Sequence, residues 1–298
     1  MELQLQKVYL AALLILVAIS ASAAQSVQRP IRVAILDFGE TQTSQRVVEK
    51  IAQSIASVRE FQVVDRDQAR AAVRGTDYRG SLNMTVEEAR DLGAAIGCDF
   101  FFTGEAQNLR RFPSETPAYF ESYAAIYLVS ARTGRLVAWD RLSLKRPQAN
   151  ESEQALLAKL ATQSFADEQK QNMRRALEDE RAERAHAIES GAPVIEVMAD
   201  EQVDNVTGTR PPRPYRRLKP AYPEAAALAE VEATVDALVD VDEKGEVARA
   251  QIARWAGYGL DQSVLDTVKQ LHFFPAMREG VAVPMRVLLR YNFRKPPK

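Results

Sequence analysis

The stretch from Val231 to Val241 alternates strictly, and no other feature of the chain restricts the fold as tightly. Val231, Ala233, Val235, Ala237, Val239 and Val241 fall on one face, while Glu232, Thr234, Asp236 and Asp240 fall on the other. A period of two belongs to a strand, and a single apolar face makes it a half-buried antiparallel one. Asp242-Glu243-Lys244-Gly245 then reads as a hairpin turn, with glycine free to take a positive φ. A second strand follows from Glu246 to Trp255. Leu260, Val264, Leu265, Val268 and Leu271 recur at helical spacing. In the closing strand Met285, Val287, Leu289, Tyr291 and Phe293 alternate with Arg286, Leu288, Arg290 and Asn292. The order ββαβ predicts a small α+β domain over 215–298, its helix covering one face of the sheet.

A different pattern occupies 30–150. Ile31 to Phe38 is a continuous apolar run of the buried-strand type. Thr43 or Ser44 can cap the helix that follows, whose Val47, Val48, Ile51, Ile55 and Val58 share a face. Phe61 to Val64 reads as a strand, Asp67 as the cap of a helix through Val73, and Thr85 with Glu88 as a capping box. Cys98 to Phe102 is a strand closed by Gly104. Tyr119 to Val129 and Leu136 to Leu144 form a hairpin around Gly134. Strands and helices that alternate, followed by strands alone, predict an α/β domain with a mixed sheet and flanking helices.

The two regions are joined by 151–190, which lacks glycine and proline until Gly191 and is rich in strong helix formers. Ala155, Leu156, Leu160 and Phe165 give an early apolar stripe that predicts packing on the first domain. Beyond Gln169 the stripe thins, which predicts a solvent-exposed helix or marginal coiled coil with Arg174–Glu178 or Glu180–Arg184 pairs. As one rod of about 40 residues it would reach about 60 Å. Residues 191–214 read as a linker ending in Pro211-Pro212-Arg213-Pro214.

Lys7 precedes an apolar or small run, Val8 to Ala24, which ends in Ala21-Ser22-Ala23. That is the pattern of a secretory signal peptide over 1–24, with an uncleaved single-span anchor as its rival. Either places the chain in the periplasm or cell envelope.

Composition narrows the chemistry. Against 39 basic residues stand 40 acidic ones, so the surplus of cations that nucleic-acid binding needs is missing. One cysteine, Cys98, excludes a disulfide within the chain and a cysteine-based zinc cluster. His186 and His272 are the only histidines, too few and too far apart for a His-ligated metal or a Ser-His-Asp triad. These residues assemble no catalytic, cofactor-binding or metal-binding set, and the chain reads as a binding protein and not an enzyme. Cys98 reads as a small core residue. Asp37 stands where open α/β sheets bind ligands, but its simpler task is to cap or orient the next helix. Arg210, Arg213, Arg216, Arg217 and Lys219 form a basic cluster: either a solvated linker, or a contact for an acidic partner or membrane surface.

Two resemblances bear on function. Lys219-Pro220-Ala221-Tyr222-Pro223, Val239-Asp240-Val241-Asp242-Glu243-Lys244-Gly245, Leu260-Asp261, Phe274-Pro275-Ala276-Met277-Arg278-Glu279-Gly280, Val283-Pro284-Met285 and Tyr291-Asn292-Phe293 together resemble the TonB carboxyl-terminal domain. The resemblance implies binding by strand addition, classically of a peptide from an outer-membrane receptor, to the exposed edge of the sheet. It points to Lys219, Pro220, Tyr222, Pro223, Arg286, Leu288, Arg290 and Asn292 as partner-binding residues. An energy transducer for transmembrane transport would also need an inner-membrane anchor and motor proteins as partners. The strings RVAILDF, FQVVDR, LGAAIGCDFFFTGEA and SARTGRLV resemble the periplasmic CsgG-like and TolB amino-terminal-like domains. That likeness implies an assembly or secretion accessory that forms homo-oligomers. It is the alternative to a transducing adaptor.

Overall fold

The fold is described by a computed structural model over residues 29–114, 117–190, 197–198 and 209–295. The predicted leader therefore lies outside the described residues, as does most of the linker. Ile31–Lys298 is one compact unit.

Within Ile31–Lys298 the first sheet begins with β1 (Ile31–Ile35), followed by α1 (Gln42–Ala56) and β2 (Phe61–Val63). Next come α2 (Arg66–Arg74), α3 (Val86–Ile96), β3 (Phe100–Arg111), β4 (Tyr119–Ser130) and β5 (Leu136–Arg146). The order β2-β1-β3-β4-β5 makes a mixed sheet, with β1 parallel to both of its neighbours and β3, β4 and β5 antiparallel. That is the α/β architecture which the pattern predicts.

Several local expectations shift. The cap of α1 is Thr41, whose side chain accepts from the Ser44 amide, and Asp65 rather than Asp67 caps α2. Asp37 caps nothing: both of its oxygens take arginines of α2, Arg70 at 2.9 and 3.0 Å and Arg66 at 3.0 Å. Gly104 does not close β3, which runs on to Arg111. A Cβ there would lie 2.1 Å from the Ala125 carbonyl oxygen and 2.6 Å from the Phe38 ring, so close packing explains that glycine.

The charged connector is two helices, α4 (Ala149–Leu160) and α5 (Gln163–Ser190), interrupted at Ala161 and Thr162. The expectation of exposure beyond Gln169 holds for most positions, Arg181 to His186 among them, but not for the face turned to the first sheet. Gln169, Met173 and Glu180 are buried, and Glu180 accepts a 2.6 Å hydrogen bond from Ser130 on the first sheet. Arg174 pairs with Glu60 and Glu183 with Arg135, so these charges bind the helix to the sheet domain. Arg184 donates to the Glu180 backbone carbonyl. The polar residues hide a tertiary contact that an apolar count misses.

After β6 (Val197–Met198), β7 (Thr209–Arg210) and β8 (Arg213–Pro214) comes the short helix α6 (Glu224–Leu228). The carboxyl-terminal sheet uses β9 (Ala233–Val241), β10 (Val247–Arg254) and β14 (Met285–Phe293), with α7 (Leu260–Val268) against it. Its order is β10-β9-β14-β6. Between α7 and β14 the chain forms β11 (Phe273–Phe274), β12 (Ala276–Arg278) and β13 (Val281–Val283), where the sequence pattern foresaw only the end of a helix. These small strands pair back onto β8 and β7.

Of the predicted apolar face, Val235, Ala237, Val239 and Val241 are buried, while Val231 and Ala233 are half-buried. One continuous core joins this domain to the first sheet. Leu36, Phe101 and Tyr127 belong to the same cluster of buried side chains as Val239, Trp255 and Val264.

Candidate functional site

The site that the sequence points to is the outer edge of β14. Nine residue pairs, Met285↔Val241 through Phe293↔Ala233, bind one side of this strand to β9. On its other side only Arg286 and Val287 have strand partners among the described residues, Val197 and Met198 of the parallel β6. Leu288 to Phe293 is the stretch along which no strand among the described residues pairs with this side of β14. At about 3.4 Å per residue it is about 20 Å long.

The polar face of β14 is built as a ladder. Asp236 and Asp240 of β9 are buried, at 3% and 7% exposure, although they lie on the face predicted to be solvated. Burying a carboxylate requires charged partners. Arg290 donates to the two Asp236 oxygens at 2.8 and 3.1 Å, and Arg254 approaches from β10 at 3.4 Å. Arg286 forms a two-pronged pair with Asp240, and this contact raises its own pKa. Thr234 donates 2.8 Å to Asn292. Arg286, Arg290 and Asn292 thus lock β14 to β9 and stiffen the strand. Leu288 is half-buried opposite Leu238.

The other predicted residues sit elsewhere in the domain. Tyr222 donates to the Val231 carbonyl at 2.5 Å and stacks beside Phe293, with ring centroids 6.1 Å apart. Pro223 precedes α6 and lies against Gly259. These two residues close the domain from within, whereas Lys219 is exposed at its entrance and Pro220 half-buried. Cys98 is partly buried beside Gly93, and burial pushes its thiol up to about 12, the environment of an unreactive core sulfur.

Nothing in the residue pattern points to the joint between the two sheets. Asn83 donates to the carbonyls of Thr234 (2.8 Å) and Trp255 (2.7 Å) and accepts from the Thr234 amide at 3.1 Å. The Trp255 indole donates to the Gly134 carbonyl at 3.1 Å, and its backbone amide to the Met84 carbonyl. Tyr127 and Trp139 of the first sheet pack on Trp255 and Tyr258, with centroid separations of 5.3 to 6.2 Å. Asp261 accepts 2.8 Å bonds from the amides of Ala256 and Gly257, and burial raises its carboxyl to about 6. The Gly134 turn reads as a hairpin signal in sequence, but not as a docking point.

Comparison with known proteins bears on the same segment. Residues 219–294 match the family model for the Gram-negative bacterial TonB protein C-terminal. The solution structure of the Pseudomonas aeruginosa TonB carboxyl-terminal domain is similar at 18% identity and TM-score 0.27, covering 36% of this chain and 99% of that one. The lipoprotein GNA1162 from Neisseria meningitidis is similar at 14% identity and TM-score 0.32, covering 48% of this chain and 99% of its own. Escherichia coli LpoB is similar at 13% identity and TM-score 0.28; the match covers 40% of this chain and 57% of LpoB. No curated protein matches the chain. Residues 219–294 are thus the part of the chain that is similar to the TonB carboxyl-terminal domain.

Proposed function

We propose that this chain is a cell-envelope adaptor that binds a protein partner by adding a partner strand to the outer edge of β14. One observation carries the reading: β14 belongs to the segment that matches the TonB carboxyl-terminal family model, and beyond its two-residue pairing with β6 no strand among the described residues covers its outer side. The edge of a stiff strand is a template for an extended peptide, and alternate side chains add selectivity. The partner is an outer-membrane or periplasmic protein. Binding, not catalysis, is the task.

Force transmission is the finer form of this proposal. It depends on a membrane anchor, and no helix among the described residues is long and apolar enough to cross a membrane. The broken α4–α5 pair packs on the first sheet domain, so it lacks the reach of a straight rod. The candidate anchor, 1–24, lies outside the described residues, and the proposal rests on docking, with the first domain as a scaffold.

A photo-crosslinking residue placed at Arg290 or Asn292 in cells making the protein tests the proposal. The expected result is a discrete adduct with an envelope protein, absent when the same residue replaces Ala248 on β10. Equal adducts from both positions, or none from β14, would contradict it.

A further inference from the structure

The basic cluster at 210–219 is not absorbed by strand addition, and the fold gives it a neighbour that the sequence does not show. Tyr215 and Phe274 are exposed at 57% and 60%, yet their rings meet edge to face with centroids 4.3 Å apart. The β8–β11 pairing holds them there: Arg213 lies opposite Phe274, Pro214 opposite Phe273, and the Tyr215 amide donates to the His272 carbonyl at 2.8 Å. Arg213, Arg216 and Arg217 are exposed around the two rings, Lys219 follows, and Arg210 is held nearby through β7 and β12. His272, whose carbonyl accepts from Tyr215, turns its own ring to Glu246 at 3.0 Å.

We propose that this aromatic and cationic surface docks on an anionic phospholipid membrane. Two solvent-facing aromatic rings flanked by five cations match such a surface: the rings enter the headgroup boundary while the guanidinium groups meet lipid phosphates. An ordinary solvated linker needs neither the ring pair nor the ladder that positions it. The inference does not rest on the β14 reading, because β14 is not among the residues used.

The test is co-sedimentation of Ile31–Lys298, which is a compact unit without the apolar leader, with vesicles. One set is phosphatidylcholine alone and the other holds about a third phosphatidylglycerol. Binding is expected only to the anionic vesicles and should disappear in high salt. With about fivefold in affinity per cation near a charged surface, R213E/R216E/R217E should weaken binding by about a hundredfold or more. Y215S/F274S, whose changed side chains are solvent-exposed, should weaken it while leaving thermal unfolding unchanged. Equal binding to neutral vesicles, no vesicle binding, or full binding by the triple variant would overturn the proposal. An acidic peptide that binds the patch while vesicles do not would overturn it in favour of a protein partner.

Discussion

Gly257 shows how a single residue sets the joint between the sheets. Its φ is +73°, and a Cβ would stand 2.6 Å from the Tyr127 ring. Gly257→Ala should therefore cost about 2 kcal/mol, from backbone strain and overpacking together, as measured by denaturant unfolding. Asn83→Ala removes three hydrogen bonds and leaves backbone groups of Thr234 and Trp255 short of partners. The expected loss is about 1–3 kcal/mol. Asp261 makes stability depend on pH. Burial lifts its carboxyl from the ordinary 3.8 to about 6, so the folded chain holds this proton more tightly than the unfolded chain does. Its contribution is complete below 3.8 and is lost as pH rises through about 6. Asp261→Asn should flatten the unfolding free energy across that window; an unchanged slope would show that Asp261 is not its source. None of these three residues announces its role in sequence. Each acts through a partner more than 100 positions away or through a local shape that only the assembled core imposes.

Elements with a clean period were legible. β9, β14 and the Thr85 capping box emerge from alternation and spacing alone, because one buried face dictates the residue types. What escaped was burial paid for by charge pairing. Asp236 and Asp240 alternate as solvated residues would, and Glu180 and Gln169 sit in a sequence that looks like an exposed helix. In each case the partner lies on another element. The ladder itself is testable. Asp236→Ala should cost about 3 kcal/mol, since it leaves the Arg254 and Arg290 guanidinium groups without the carboxylate they share. Arg290→Ala should cost clearly less, because Arg254 remains at Asp236. Of the residues predicted for partner binding, Arg286, Arg290 and Asn292 do lie along β14, but their side chains are spent on β9. What a partner strand would meet is the backbone, which no residue pattern displays.

At the scale of the whole molecule, the shared core makes the sheet domain and the TonB-type domain one structure. Trp255, Tyr258 and Tyr127 belong to both, so Ile31–Lys298 should unfold in one transition with coincident far- and near-ultraviolet signals. Two separated transitions would mean that the joint contributes little. A rigid scaffold also gives the β14 edge a defined orientation for its partner. Hydrogen exchange across β14, measured on the chain alone and in complex with its crosslinked envelope partner, tests this account most directly. The account predicts that the amides of Leu288 to Phe293 gain protection on binding while those of β10 do not change. Protection confined to β10 or to the helices, with β14 unaffected, would contradict it.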